Sequence, residues 1–157
     1  MTIRVAQIGT GNVGGHALTQ LVKDPRFELA GVWVSSEAKA GRDAAELVGL
    51  PDATGVITTN DLDEILAGKP DCAVYTAMAD NRLPEALEDY RRILSAGVNV
   101  VGSGPVFLQY PWQVLPPELV DPIETATREG GSSLFVNVGS CPVCHLYFCS
   151  SKKLIRI

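Results

Sequence analysis

Short apolar runs alternate with amphipathic stretches along most of the chain. Ile3 to Ile8 is an apolar run that passes directly into glycines, the pattern of a buried strand entering a turn. Residues 12–23 place Val13, Ala17, Leu18, Leu21 and Val22 at helical spacing and stop at Asp24-Pro25. Phe27 to Val34, rich in β-branched and aromatic residues, predicts a second strand. Lys39 to Val48 predicts a short helix with Ala44, Leu47 and Val48 on one face. Val56 to Thr58 is a third, short strand. Asp61 is placed to cap the next helix, with Glu64 completing a capping box, Leu62, Ile65 and Leu66 on its apolar face, and Gly68 closing it.

The same beat continues. Cys72 to Tyr75 predicts a fourth strand. Pro84 opens a helix that turns Leu87, Tyr90, Ile93 and Leu94 inward and ends at Gly97. Val98 to Val101 is a fifth strand. Asp121-Pro122-Ile123-Glu124 reads as a helix start, with N-cap, proline at the first position and Glu at the third. That helix runs to Gly130-Gly131, and Leu134 to Val136 predicts a sixth strand. Strands separated by helices mean parallel β-α-β units. The expected fold is therefore α/β, a doubly wound, mostly parallel six-stranded sheet.

Gly9-Thr10-Gly11-Asn12-Val13-Gly14 is a G-x-G-x-x-G motif in its required context, after a strand and opening a helix. Gly9 allows the tight turn, Gly11 leaves room for a pyrophosphate against the backbone, and Gly14 lets helix and strand pack closely. The N–H groups at the helix start face the anion. These residues predict a dinucleotide site; a ligand-free glycine turn is the alternative.

An NAD-selective site wants an Asp or Glu at the end of the second strand to accept from the ribose 2′-OH. Here that position reads Val34-Ser35-Ser36, with Lys39 and Arg42 beyond. Two hydroxyls and two cations suit a 2′-phosphate, so the expected cofactor is NADP ahead of NAD. The alternative pairs Lys39 and Arg42 with Glu37 or Glu46 as solvated charges. In a parallel sheet, ligands gather beyond the carboxyl ends of the strands. Thr76, Ala77 and Met78 after the fourth strand, and Gly102, Ser103 and Gly104 after the fifth, are accordingly candidates for flanking the nicotinamide.

Conventional acids and bases are scarce. His16 reads as a helix-surface residue, Asp80 and Arg82 as solvated loop charges, and Phe107, Tyr110 and Trp112 as a packing loop. Hydride transfer needs mainly orientation from the protein, because the cofactor carries the reaction. An oxidoreductase is compatible with that scarcity.

The composition is globular, 46% hydrophobic and 20% charged, and the net charge of −5 argues against a nucleic-acid or anionic-membrane partner. No run approaches the roughly 18 apolar residues of a membrane span. The first residues enter a strand with no signal-peptide layout, so a cytoplasmic location is expected. The totals hide an asymmetry: residues 1–137 carry all 18 acids, while residues 138–157 carry only Lys152, Lys153 and Arg156. Cys141, Cys144 and Cys149 also lie in those last residues, leaving Cys72 alone in the body, which fits a reduced compartment without a disulfide framework. Cys141-Pro142-Val143-Cys144-His145 spells a haem-attachment pattern and could be read as zinc or redox ligands, but an incidental cysteine-rich end is the simplest reading.

The run Ile3 to Gly14, the stretch Asn99 to Pro105, Tyr110-Pro111 and Ser133 to Asn137 together resemble the dihydrodipicolinate reductase-like family of nicotinamide-dependent oxidoreductases, including 2,4-diaminopentanoate dehydrogenase and the native amine dehydrogenases. The resemblance implies a Rossmann domain, NAD(P)-dependent hydride transfer on a small imine, amine or carbonyl substrate, and homo-oligomers among full-length relatives. It also implies a second domain after Asn137, for which this chain has Val138-Gly139-Ser140-Cys141. The expected organisation is a dinucleotide-binding domain over 1–137 and an atypical, basic, cysteine-rich tail over 138–157, a frameshift or splice product with the second domain missing. A catalytically incomplete NADP-binding module is the alternative function. The paired-His and Lys motif of the true dihydrodipicolinate reductases has no match here, and neither does the acidic residue that amine-active members place after the fifth strand.

Overall fold

Strand positions covered on both faces must be apolar, and the buried positions of the central strands obey this with one exception, Gln7. The structure, a computed structural model, describes residues 2–136. Its strands are β1 (Ile3–Ile8), β2 (Phe27–Trp33), β3 (Cys72–Tyr75), β4 (Asn99–Gly102) and β5 (Leu134–Val136). They form one sheet in the order β2-β1-β3-β4-β5, every neighbouring pair parallel. The helices are α1 (Asn12–Lys23), α2 (Ala44–Val48), α3 (Leu62–Ala67), α4 (Leu83–Ser95), α5 (Pro111–Val114) and α6 (Pro117–Gly130).

Alternation along the strands sorts the core into two layers. Val5 and Val74 meet Ala17 and Leu21 of α1, and Val32 and Val34 meet Leu18 and Ala44. On the other face Ala6, Ile8, Ala73, Tyr75 and Val100 meet α3, α4 and α6 through Ile65, Tyr90, Leu94 and Ile123. Each fully buried Leu or Ile contributes about 1.5–3 kcal/mol relative to exposure. The doubly wound architecture follows from that two-sided burial.

Among the described residues the sheet has five strands where six were expected. Val56–Thr58 does not join it as a strand because its hydrogen bonds are divided between two neighbours. Val56 accepts from Ala44 N and Thr58 N donates to Arg42 O, both at 2.9 Å, so this segment pairs with the chain before α2. Only Thr59 bridges Trp33 on the outer edge of β2. The outermost position of the first half of a doubly wound sheet is thus reduced to one bridge, and the remaining order is that of the class.

Two helices also differ from expectation. The stretch 39–48 divides into a 3₁₀ turn at Glu37–Lys39 and α2, because Gly41 takes φ +79° between them and Asp43 caps α2 by accepting from Ala45 N at 2.8 Å. The helix expected from Asp121 begins at Pro117 and carries Pro122 within it. Proline fits the first turn equally well at Pro117, and burial of Val120 beside Ile123 and Ala126 extends the apolar stripe back by a turn. Cys72 is buried; the other three cysteines and the whole 138–157 segment lie outside the described residues. Among the described residues no helix is long and apolar enough to cross a membrane.

Candidate functional site

Strand order reverses at β1, which has β2 on one side and β3 on the other, so the loops leaving β1 and β3 border the crevice where doubly wound sheets take ligands. The glycine turn lies on that border. Gly9 has φ +92°, and a side chain there would meet the backbone of Ala77 at 2.6 Å. Gly14, in the first turn of α1, would bring a methyl group to 2.1 Å from the Gly9 carbonyl oxygen and 2.6 Å from Thr76 Oγ1. Gly11 is different: a side chain there would meet nothing within 4 Å. The turn is therefore closed on its inner side and open at Gly11.

Gly11 is also the N-cap of α1. No side chain caps that end and no acid lies in the first turn, and the first helical bond runs from Gly15 N to Gly11 O at 2.7 Å. The preceding N–H groups, on Asn12, Val13 and Gly14, point out of the helix end as a donor set for an anion. Asn12 and Val13 are exposed beside them. This cradle fits a pyrophosphate.

The segment after β2 reaches the same place. Gly9 N donates to Trp33 O at 2.9 Å, so β2 runs alongside the turn and delivers Ser35 and Ser36, both exposed, beyond it. Lys39 Nζ donates to Thr10 O at 3.2 Å, which brings its ammonium onto the glycine turn. Arg42 does not join it. Its guanidinium is engaged with Glu46 at 3.1 Å, one helical turn on, as an exposed pair.

The loops after β3 and β4 complete the edge. Thr76 N donates to Ile8 O at 2.8 Å and Ser103 N donates to Tyr75 O at 3.0 Å, so the three loops stand side by side. Met78 projects to solvent at 65% exposure. Gly102 is needed where it is because a side chain would meet Tyr90 Oη at 2.3 Å, and that hydroxyl donates to Gly104 O. Tyr90 in turn packs on Tyr75 with ring centres 4.4 Å apart.

Arg82, expected as a solvated loop charge, belongs to a partly buried group. Tyr75 Oη donates to Asp89 Oδ2 at 2.8 Å, Arg82 approaches the same oxygen at 3.5 Å, and Arg82 covers the Trp33 ring at 5.7 Å. Burial raises the Asp89 carboxyl above its ordinary range, against the opposing pull of the Tyr75 hydroxyl and Arg82. Burial also raises the Tyr75 and Tyr90 phenols, so both stay protonated donors. Asp80 and His16 are exposed.

Gln7 was also missed. It is wholly buried on β1, and its Nε2 donates to Gly9 O at 2.8 Å and to Thr76 Oγ1 at 2.7 Å. The available signal was a lone amide inside an apolar strand. A cavity of about 640 Å³ lies elsewhere, between α5, α6 and β5, walled by Trp112, Val120, Ile123 and Leu134; it shares no residue with the crevice.

The strand order and the closed glycine turn define a Rossmann-like dehydrogenase fold. Over 129 residues the chain is 42% identical to an amine dehydrogenase from Streptomyces virginiae; the match takes in 82% of this chain and 36% of that protein. The structure superposes on the amine dehydrogenase of Mycobacterium smegmatis with a TM-score of 0.76 at 28% identity, covering 85% of this chain and 38% of that one. GenD2 from gentamicin A biosynthesis, solved in complex with NAD, gives a TM-score of 0.62 at 26% identity over 87% of this chain and 34% of its own. A Synechocystis biliverdin reductase solved with biliverdin and NADP⁺ shares the fold at 22% identity and a TM-score of 0.62, covering 86% of this chain and 37% of its own. No family model matches the chain. The chain is a homologue of amine dehydrogenase, and it spans little more than a third of the length of these relatives.

Proposed function

We propose that this chain is the cofactor-binding part of an NAD(P)-dependent oxidoreductase of the dihydrodipicolinate reductase-like type, transferring hydride to or from a small imine, amine or carbonyl compound. Residues 1–137 form the dinucleotide domain of that enzyme. The observation that carries the reading is the glycine turn: Gly14 pressed against Gly9, and an uncapped helix end open at Gly11. When bound, a nicotinamide dinucleotide supplies the hydride chemistry. The chain's residues hold it: Gly9 to Gly14 take the pyrophosphate, and the loops Thr76–Met78 and Gly102–Gly104 flank the nicotinamide.

The preferred cofactor is NADP. Ser35, Ser36 and Lys39 supply hydroxyls and a cation with no carboxylate at the end of β2, which suits a 2′-phosphate. Arg42 contributes at longer range while it pairs with Glu46. The substrate class follows from the amine dehydrogenase likeness. Purified chain supplied with NADPH, ammonia and a panel of small ketones and aldehydes tests the reading through NADPH consumption. A second reading is cofactor binding without turnover. It is distinguished by NADPH binding without consumption.

A further inference from the structure

We propose that Gln7 is a positioning residue that holds the glycine turn after β1 and the Thr76–Ala77 loop after β3 in one fixed register, so that a single dinucleotide meets both. The proposal rests on the reading of the crevice as a dinucleotide site.

Gln7 lies at the centre of the sheet, opposite Val32 of β2 and Val74 of β3, and has no solvent exposure. Its surroundings are apolar, and its own Oε1 has no partner among the described residues. A buried carbonyl without a partner is destabilising, and an apolar side chain of equal length would avoid that cost. What the amide provides instead is Nε2, and both of its bonds go to the crevice. One reaches Gly9 O at 2.8 Å, the carbonyl against which Gly14 packs. The other reaches Thr76 Oγ1 at 2.7 Å, and that hydroxyl lies 3.1 Å from both Ile8 O and Gly9 O.

One amide thus ties together the two loops, acting on the Gly9 carbonyl and on the Thr76 hydroxyl that itself reaches that carbonyl. The two loops stand on opposite sides of the point where strand order reverses. The pyrophosphate is assigned to the first loop and the nicotinamide to the second. A shift of either relative to the other would leave each half-site intact while spoiling their spacing. A mere space-filling role for Gln7 would have no such effect.

Three substitutions separate these possibilities: Gln7→Met, which keeps the length and removes the donor; Thr76→Val, which removes the hydroxyl; and Thr76→Ser, which keeps it. The readouts are the Kd for NADPH, the Kd for adenosine 2′-monophosphate, which touches only the segment after β2, and the Tm. Gln7→Met and Thr76→Val are each expected to weaken NADPH about tenfold, the scale of one or two lost hydrogen bonds, with adenosine 2′-monophosphate unchanged. The double variant should be little worse than either single one, and Thr76→Ser, which keeps the hydroxyl, should bind NADPH more tightly than Thr76→Val. NADPH affinity unchanged in Gln7→Met, or an equal loss for both nucleotides, overturns the proposal. Should Gln7→Met not fold, the Thr76→Val and Thr76→Ser pair decides alone: equal NADPH affinities overturn it. A parent chain that binds neither nucleotide overturns the dinucleotide reading itself, whereas a parent that binds NADPH with the variants unchanged overturns only the role of Gln7.

Discussion

A methyl group on Gly14 would stand 2.1 Å from the carbonyl oxygen of Gly9, so the first turn of α1 and the turn after β1 are packed as closely as glycine allows. The obstacle is backbone, which cannot swing aside. Gly11, three residues earlier, faces open space. Two glycines of one motif therefore do different work, one in the fold and one at the ligand surface.

Gly14→Ala is expected to destabilise the domain by about 1–3 kcal/mol, the range for overpacking in a tight interior. Gly11→Ala is expected to cost less than about 1 kcal/mol, the scale of a changed N-cap, yet to weaken NADPH at least tenfold by filling the approach to the helix end. Thermal unfolding and nucleotide titration on both variants check the division. A Gly14→Ala protein as stable as the parent contradicts it.

Lys39 and Arg42 are equivalent in sequence and unequal in space. Lys39 touches Thr10 of the glycine turn, whereas Arg42 is held by Glu46. Lys39→Met should raise the Kd for NADPH about ten- to a hundredfold, the roughly 1.5–3 kcal/mol scale of a hydrogen bond to a charged group. The loss should shrink as salt rises. Arg42→Met should change it about twofold or less, as for an exposed pair. Titrations at low and high salt compare the two.

Gly102 and Tyr90 form a pair that can be broken and repaired. A methyl on Gly102 would meet Tyr90 Oη at 2.3 Å, with the next ring atom at 3.3 Å. Gly102→Ala should destabilise by about 1–3 kcal/mol. Tyr90→Phe alone should cost about 1 kcal/mol by leaving Gly104 O without its donor. The double variant should be more stable than Gly102→Ala alone, a non-additivity that denaturant unfolding measures directly.

Asp43 carries an acid-sensitive contribution. Its carboxylate accepts from Thr54 N, Ala45 N, Thr54 Oγ1 and Gly55 N, which holds its pKa at about 2 against an ordinary 3.8. The folded value is the lower one, so the contribution is complete above about pH 4 and is lost as pH falls toward about 2. Asp43→Asn should flatten the fall in Tm over that window and lower Tm at neutral pH. An unchanged acid profile in the variant would contradict this role.

Much of this architecture is legible in the chain because its causes are local. Ile3 to Ile8 needs only its own apolar run, and Asp61 and Gly68 end α3 as their chemistry dictates: Asp61 Oδ1 accepts from Asp63 N at 2.8 Å. Where the reading failed, the deciding partner was distant. Val56–Thr58 has strand composition, but its hydrogen bonds go to residues before α2. Asp121-Pro122 imitates a helix start, and burial of Val120 moves the real one back. The crevice was half legible. Its glycines announce themselves by spacing, whereas the partner that gives Gln7 a role is 69 residues away and the one that draws Lys39 to the turn is 29 away. Arg82 read as a loop charge because Asp89 and Trp33 meet it only in three dimensions.

The most direct measurement is a fluorescence titration of the 157-residue chain with NADPH and with NADH. NADPH should bind with a Kd well below about 1 mM, corresponding to more than about 4 kcal/mol, and more tightly than NADH. Binding of neither nucleotide below millimolar concentration would contradict the dinucleotide site at Gly9 to Gly14.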